Sequence, residues 1–169
     1  MTRKETTAFY QAHSRRLYNM SFRILLNAED AEEVMQDTIL KFVTLPFRPM
    51  GQEQVSAWLS RTCIRASIDR LRKQKRERLF REAYARETAG DTEETGQDIP
   101  AEIPASHILA ALERLPDPYR LVLTLVLVEG LDYSEIAGYT GQKETTLRSH
   151  FLRGRQKLIT LLKEDGEPI

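Results

Sequence analysis

At 169 residues and 19.5 kDa, with 41% hydrophobic residues, the chain holds enough apolar material for one ordinary domain or two small ones and too much for a disordered tail. Seven prolines and eight glycines exclude a collagenous sequence, no apolar stretch approaches the roughly 18 residues of a membrane span, and a single cysteine, Cys63, excludes an intrachain disulfide framework. Twenty-five basic and twenty-five acidic side chains cancel, which argues against indiscriminate binding to a polyanion, but they are unevenly placed: 16 basic and 10 acidic in residues 1–85, 1 and 6 in 86–106, 8 and 9 in 107–169. The charged start, Met1-Thr2-Arg3-Lys4-Glu5, leads into no apolar signal segment, so a cytoplasmic protein without membrane insertion is expected.

The first predicted helix covers 6–26, with Phe9, Leu17, Met20 and Ile24 near helical spacing, and Asn27 breaks it. A second run starts at Ala28. Val34, Ile39, Phe42 and Val43, with Ala31 and Thr38 between them, give it an apolar side opposite Glu29, Glu33 and Asp37, and it ends before Pro46; the two helices are expected to be antiparallel neighbours. Pro46 to Gln52 is a loop on proline and glycine grounds. A long third helix then runs to about residue 84, with Leu59, Ile68 and Leu71 as its core candidates and mostly charged residues beyond Leu71. Arg65 to Arg81 carries eight basic side chains against Asp69 and Glu77. Arg61, Arg65 and Arg72 follow one another at helical steps of four and seven, so they share a side suited to phosphate, for which guanidinium groups supply several donors.

Residues 86–106 are acidic and lack a core pattern, which predicts a flexible linker. Helical patterning resumes with Ile108, Leu109, Leu112 and Leu115, is interrupted at Pro116-Asp117-Pro118, and continues to Glu129 with Leu121, Val122, Leu125 and Val126 as core candidates. Two further helices are predicted over 133–139 and 144–162. Asp132-Tyr133-Ser134-Glu135 has the spacing of a capping box, Ala137 stands four residues before Gly141, and Leu147 six after it. A small residue for the crossing, a glycine for the turn and a leucine anchor together predict a helix-turn-helix. The second of its helices displays the DNA-binding candidates Thr145 and Thr146 at its start, then Arg148 and Ser149 as candidates for base edges, and Arg153, Arg155 and Lys157 farther along as candidates for phosphates. Gly154 inside that helix costs about 1 kcal/mol relative to alanine, which close packing would offset. The fold class is therefore all-α: two small helical domains, 1–85 and 107–169, joined by the linker 86–106.

These fragments, in this order and spacing, resemble the bacterial RNA polymerase sigma factors of the extracytoplasmic function family, the minimal class that keeps only the second and fourth sigma regions. Asp30-Ala31-Glu32-Glu33-Val34-Met35-Gln36-Asp37 is similar to the family's acidic polymerase-binding stretch. Ala57-Trp58-Leu59-Ser60-Arg61 and Ile68-Asp69-Arg70-Leu71-Arg72 resemble the helix that meets the minus-ten element. Leu115-Pro116-Asp117-Pro118-Tyr119-Arg120, Glu129 to Ala137, and Thr146-Leu147-Arg148-Ser149-His150 resemble the minus-thirty-five module. The chain departs from the family's usual residues at Arg65, where Asn is usual, at Lys143 and Thr145, where Ser and Gly are common, and at His150, where Arg or Lys is frequent.

The resemblance implies a non-enzymatic factor that lends promoter recognition to core RNA polymerase, with promoter DNA and an anti-sigma protein as further partners. It implies polymerase contacts from Glu29, Asp30, Glu33, Gln36 and Asp37. It implies DNA contacts from Arg61, Arg65, Arg72, Lys73 and Arg76, and places the loop from Phe47 through Arg48 to Gln52 near a pocket for an unstacked base. No cofactor or metal is expected: His13, His107 and His150 are widely spaced, Cys63 has no partner pattern, and there is no glycine-rich phosphate loop. The competing reading is a dimeric helix-turn-helix regulator that binds operator DNA, which accounts for the last third of the chain and leaves the first helical unit without a task.

Overall fold

The computed structural model describes residues 1–81 and 98–169, with side chains over 1–75 and 98–169. The expected end of the third helix at 84, the Arg76 side chain and residues 86–97 of the expected linker lie outside the described residues. The chain divides into two compact units, Met1–Tyr84 and Ala85–Ile169, and the described residues contain helices and no strands.

In the first unit α1 spans Arg3–Leu25, α2 Ala28–Val43 and α3 Gln52–Arg81. Helix α1 starts three residues earlier than its apolar spacing predicts. The cause is a capping box: the Thr2 hydroxyl accepts from the Glu5 amide at 3.3 Å while the Thr2 amide donates to the Glu5 carboxylate at 2.6 Å. The Thr2 amide first, and the Thr2 hydroxyl second, hold the Glu5 pKa below the usual carboxylate value. At the other end Leu26 takes up the left-handed conformation (φ 51°), and Asn27 opens α2 by accepting from the Asp30 amide at 2.9 Å. Asn27 is thus the cap of the next helix.

Pairwise contacts fix the directions of the three helices. Arg16 meets Ser60, the Leu17 carbonyl meets Cys63 and Ser21 meets Ser67, so α1 and α3 run parallel. Phe42 meets Trp58, Glu33 meets Arg70 and Asp30 meets Gln74, so α2 runs against α3. Phe9 stacks on Phe42 with ring centroids 4.7 Å apart, which sets α1 and α2 antiparallel as predicted. Leu17, Ile24, Leu25, Ala31, Leu59, Cys63, Ile64 and Ile68 form the buried centre.

In the second unit α4 spans Ala105–Glu113, α5 Asp117–Leu123 with a π-helical continuation over Thr124–Val128, α6 Tyr133–Thr140 and α7 Glu144–Glu164. The folded part reaches back into the interval expected to be linker. Ile103 is 5% exposed and belongs to the core made by Leu112, Leu115, Tyr119, Leu123, Leu158 and Leu162, and Ile99 packs against it. Pro118 sits in the first turn of α5, where its missing N–H costs nothing. Behind it the buried Arg120 donates to Asp117 at 2.6 Å and to the Leu115 carbonyl at 3.1 Å, clamping the α4–α5 turn. The π turn sets the register after Leu123. Of the core candidates here Val122 and Leu125 are buried as expected, together with Leu123 and Thr124, while Leu121 and Val126 are only half-buried. Gly154 is buried because α5 crosses there: a Cβ at this position would lie 2.9 Å from both Tyr119 Cβ and Leu123 Cδ1.

Candidate nucleic-acid and protein interfaces

On α2 the structure brings Glu29, Glu33, Gln36 and Asp37 to the exposed side and turns Asp30 towards α3. Asp30 accepts from Arg70 at 3.2 Å and from the Gln74 amide, and Glu33 reaches the same guanidinium at 2.7 Å. Arg70 is thereby a bracket between α2 and α3, set apart from the basic face of its own helix. Gln36 donates to Glu32 at 3.2 Å. Leu40, which the charge pattern did not bring forward, is 58% exposed four residues after Gln36 and seven after Glu33. The signal was available: helical spacing places it on the acidic stripe and apart from Ile39 and Phe42.

Along α3, Arg61, Arg65, Arg72 and Lys73 are exposed, and Arg72 lies 3.8 Å from Asp69 one turn back. Arg16 of α1 donates to Ser60 at 2.8 Å, so a further cation, which the sequence reading passed over, stands beside the Arg61 end of this face. In the preceding loop Arg48 and Gln52 are exposed and Phe47 is 93% exposed, whereas Trp58 is half-buried with its edge on Phe42. His13 joins the same aromatic group through Phe9; burial first, and Arg16 second, depress its pKa, which favours the neutral ring.

The helix-turn-helix is complete in its local chemistry. Asp132 accepts from the Glu135 amide at 2.8 Å and Glu135 from the Asp132 amide at 3.3 Å, Gly141 takes φ 70° and donates to the Ala137 carbonyl, and Leu147 is fully buried. Thr145, Thr146, Arg148 and Ser149 stand exposed on the first two turns of α7. Ser149 spends its hydroxyl hydrogen on the Thr145 carbonyl (3.1 Å), which leaves its oxygen as an acceptor.

Farther along α7 the cations fall on two sides. The Arg148 guanidinium lies 5.6 Å from the Tyr133 ring centroid and that of Arg155 5.8 Å from the Phe151 centroid, with Tyr133 and Phe151 edge to face. Lys157 lies over Tyr119 at 5.7 Å, and His150 is half-buried with its ring edge-on to Tyr119. Two residues rotate an α-helix by about 200°, so Lys157 stands away from the side that Arg148 and Arg155 share. Arg153 is half-buried, and Arg155 also meets Asp98 at 3.5 Å. Among the described residues no group of three or more His, Cys, Asp or Glu is placed to hold a metal ion, and no helix is long and apolar enough to cross a membrane.

Two family models match this chain, Sigma-70 region 2 over residues 9–77 and Sigma-70 region 4 over residues 107–158. The ECF RNA polymerase sigma factor EcfG of Rhodopseudomonas palustris is 31% identical over 140 residues, covering 83% of this chain and 75% of that protein. The chain belongs to the ECF RNA polymerase sigma factors. This sigma factor is also similar to RNA polymerase sigma factor SigV of Bacillus subtilis, at 27% identity over 154 residues, 90% of this chain and 89% of that one. A solved structure of the Bartonella quintana sigma factor RpoE, in complex with the anti-sigma factor NepR, has the same fold, with a TM-score of 0.57 at 21% identity over 96% of this chain and 99% of that one. Both helical units of the sigma factor therefore have a counterpart within one family, which the operator-binding alternative does not provide.

Proposed function

We propose that this sigma factor divides transcription initiation among three surfaces. The exposed side of α2, Glu29, Glu33, Gln36 and Asp37 with Leu40 among them, meets core RNA polymerase; acidic groups steer the encounter and the apolar side chain adds buried area. Arg61, Arg65, Arg72, Lys73 and Arg76 hold the phosphates of the minus-ten region, with Arg48 and Gln52 at the strand that opens. Phe47, extended from its loop, offers a ring to an unstacked base, a contact worth about 1–3 kcal/mol that offsets part of the unstacking cost. Thr145, Thr146, Arg148 and Ser149 enter the major groove of the minus-thirty-five element while Arg153, Arg155 and Lys157 serve phosphates.

In this reading the sigma factor supplies no reacting group, acts in the cytoplasm, meets the two promoter elements with its two helical units, and is held in check by an anti-sigma protein. The observation that carries it is the finished helix-turn-helix with four exposed polar side chains at the entering end of α7, in the same chain as an exposed acidic helix face. Footprinting tests it. With core polymerase the chain is expected to protect two separated promoter blocks, and without polymerase to protect neither strongly; strong protection of one palindromic block by the chain alone would support the operator-binding regulator instead.

A further inference from the structure

Arg148 and Tyr133 belong to different helices of the helix-turn-helix, and their contact crosses the turn. Tyr133 is the first residue of α6, directly after the Asp132 cap, so its backbone is fixed by the capping box. Its ring packs edge to face with that of Phe151, with centroids 6.1 Å apart and planes at 78°. Over it stands the Arg148 guanidinium at 5.6 Å, and one further step along the same side Arg155 stands over Phe151. The four side chains form a ladder, cation, ring, ring, cation, built from two helices.

A guanidinium held over a ring is drawn by its charge to the π cloud, so the contact spends none of its N–H donors on a hydrogen-bond acceptor. The contact therefore leaves donors for the two acceptors of a guanine, and removes rotamers in which the long side chain would sweep through solvent. Burial raises the Tyr133 pKa above its ordinary value, so the phenol stays neutral and its ring charge distribution is the same at any pH at which DNA is bound.

We infer that Tyr133 is a positioning residue for minus-thirty-five recognition: its ring presets the Arg148 guanidinium for the base edge, so sequence discrimination at that position depends on a residue outside the recognition helix. This rests on the assignment of α7 to the minus-thirty-five element. The ladder adds a second element to the site. Phe151 ties Arg148 to Arg155 through Tyr133, so the two cations are positioned relative to each other before DNA arrives.

The test uses the full chain assembled with core polymerase and the best-transcribed promoter of a random library, together with duplexes carrying single base changes in its upstream element. Tyr133→Leu is expected to reduce discrimination between matched and altered duplexes by about two- to fivefold, the range of an exposed cation–π contact, with the helical content retained. Tyr133→Phe keeps the ring and is expected to restore it. In an Arg148→Ala background Tyr133→Leu is expected to cost nothing more, because it acts through that side chain. A second readout needs no DNA: the ring-current shift on the Arg148 side-chain resonances is expected in the native chain and in Tyr133→Phe, and this measurement decides the matter should Tyr133→Leu fail to fold. Arg148→Ala losing discrimination while Tyr133→Leu keeps it, or Arg148 resonances at solvent-exposed shifts in the native chain, would overturn the inference and leave the DNA-reading assignment standing. Unchanged discrimination in Arg148→Ala would overturn that assignment and the inference with it.

Discussion

Glu33 and Asp37 stand one turn apart on the same exposed side of α2, but only Glu33 is also tied to α3. Glu33 is held at 2.7 Å by Arg70, which also binds Asp30, whereas Asp37 is exposed. Asp37→Lys is therefore expected to weaken association with core polymerase at fixed salt and to leave the thermal midpoint in place. Glu33→Lys sets an ammonium against the Arg70 guanidinium and is expected to lower stability as well, by up to about 1 kcal/mol for a pair this exposed. Binding titrations with parallel melts separate the two; a lowered midpoint for Asp37→Lys would show that its effect is on the fold. Gly154 poses the opposite case, where a gain in helix propensity meets a lack of room. Gly154→Ala recovers about 1 kcal/mol of propensity and drives a methyl into Tyr119 Cβ and Leu123 Cδ1, an overpacking that costs about 1–3 kcal/mol. A net loss of up to about 2 kcal/mol is expected in urea unfolding of the whole chain; a more stable variant would mean that α5 gives way freely.

Helix ends and turns carry most of what the sequence told about this fold, because their chemistry is local. Asp132 and Glu135 cap α6 as their spacing predicts, and Gly141 turns the chain with a positive φ. The same logic, applied at Thr2 and Glu5, would have started α1 correctly; apolar spacing alone placed it at Thr6. Other features had no local signal. A leucine at 26 does not announce a left-handed backbone, and a π turn at Thr124 inserts a register shift that a 3.6-residue count cannot contain. The Asp30–Arg70–Glu33 bracket depends on which helix lies beside which, so Asp30 read as one more surface carboxylate. Asp132→Ala is expected to cost about 1 kcal/mol and to weaken minus-thirty-five binding by loosening α6 against α7. Equal DNA affinity in a chain of lowered stability would separate the cap from the reading function. At α1 the sign of the pH effect follows from the depressed Glu5 pKa: the cap is fully in force above the ordinary value of 4.5 and is lost as pH falls through the lower folded value. Amide exchange at Thr6 is expected to quicken in that window, and Glu5→Gln to remove the pH dependence.

Across the molecule, a net charge of zero coexists with one exposed acidic helix face and two exposed basic ones, each on a different helix. That separation suits a factor that must hold a polymerase and DNA together without clinging to either polyanion or protein at random. On the proposed assignment the two halves of a promoter depend on different residues. Arg155→Ala is expected to weaken binding to many upstream sequences evenly and to shallow the salt dependence, while Arg148→Ala changes preference at one position by about 1–3 kcal/mol. The most direct measurement is transcription from a random promoter library by core polymerase with and without this chain, followed by sequencing of the transcribed templates. Two conserved blocks at constant separation are expected only when the chain is present, with the upstream block degraded by Arg148→Ala and the downstream block untouched. Templates indistinguishable from those of core polymerase alone, or a single block bound as tightly without polymerase as with it, would contradict the assignment of these three surfaces.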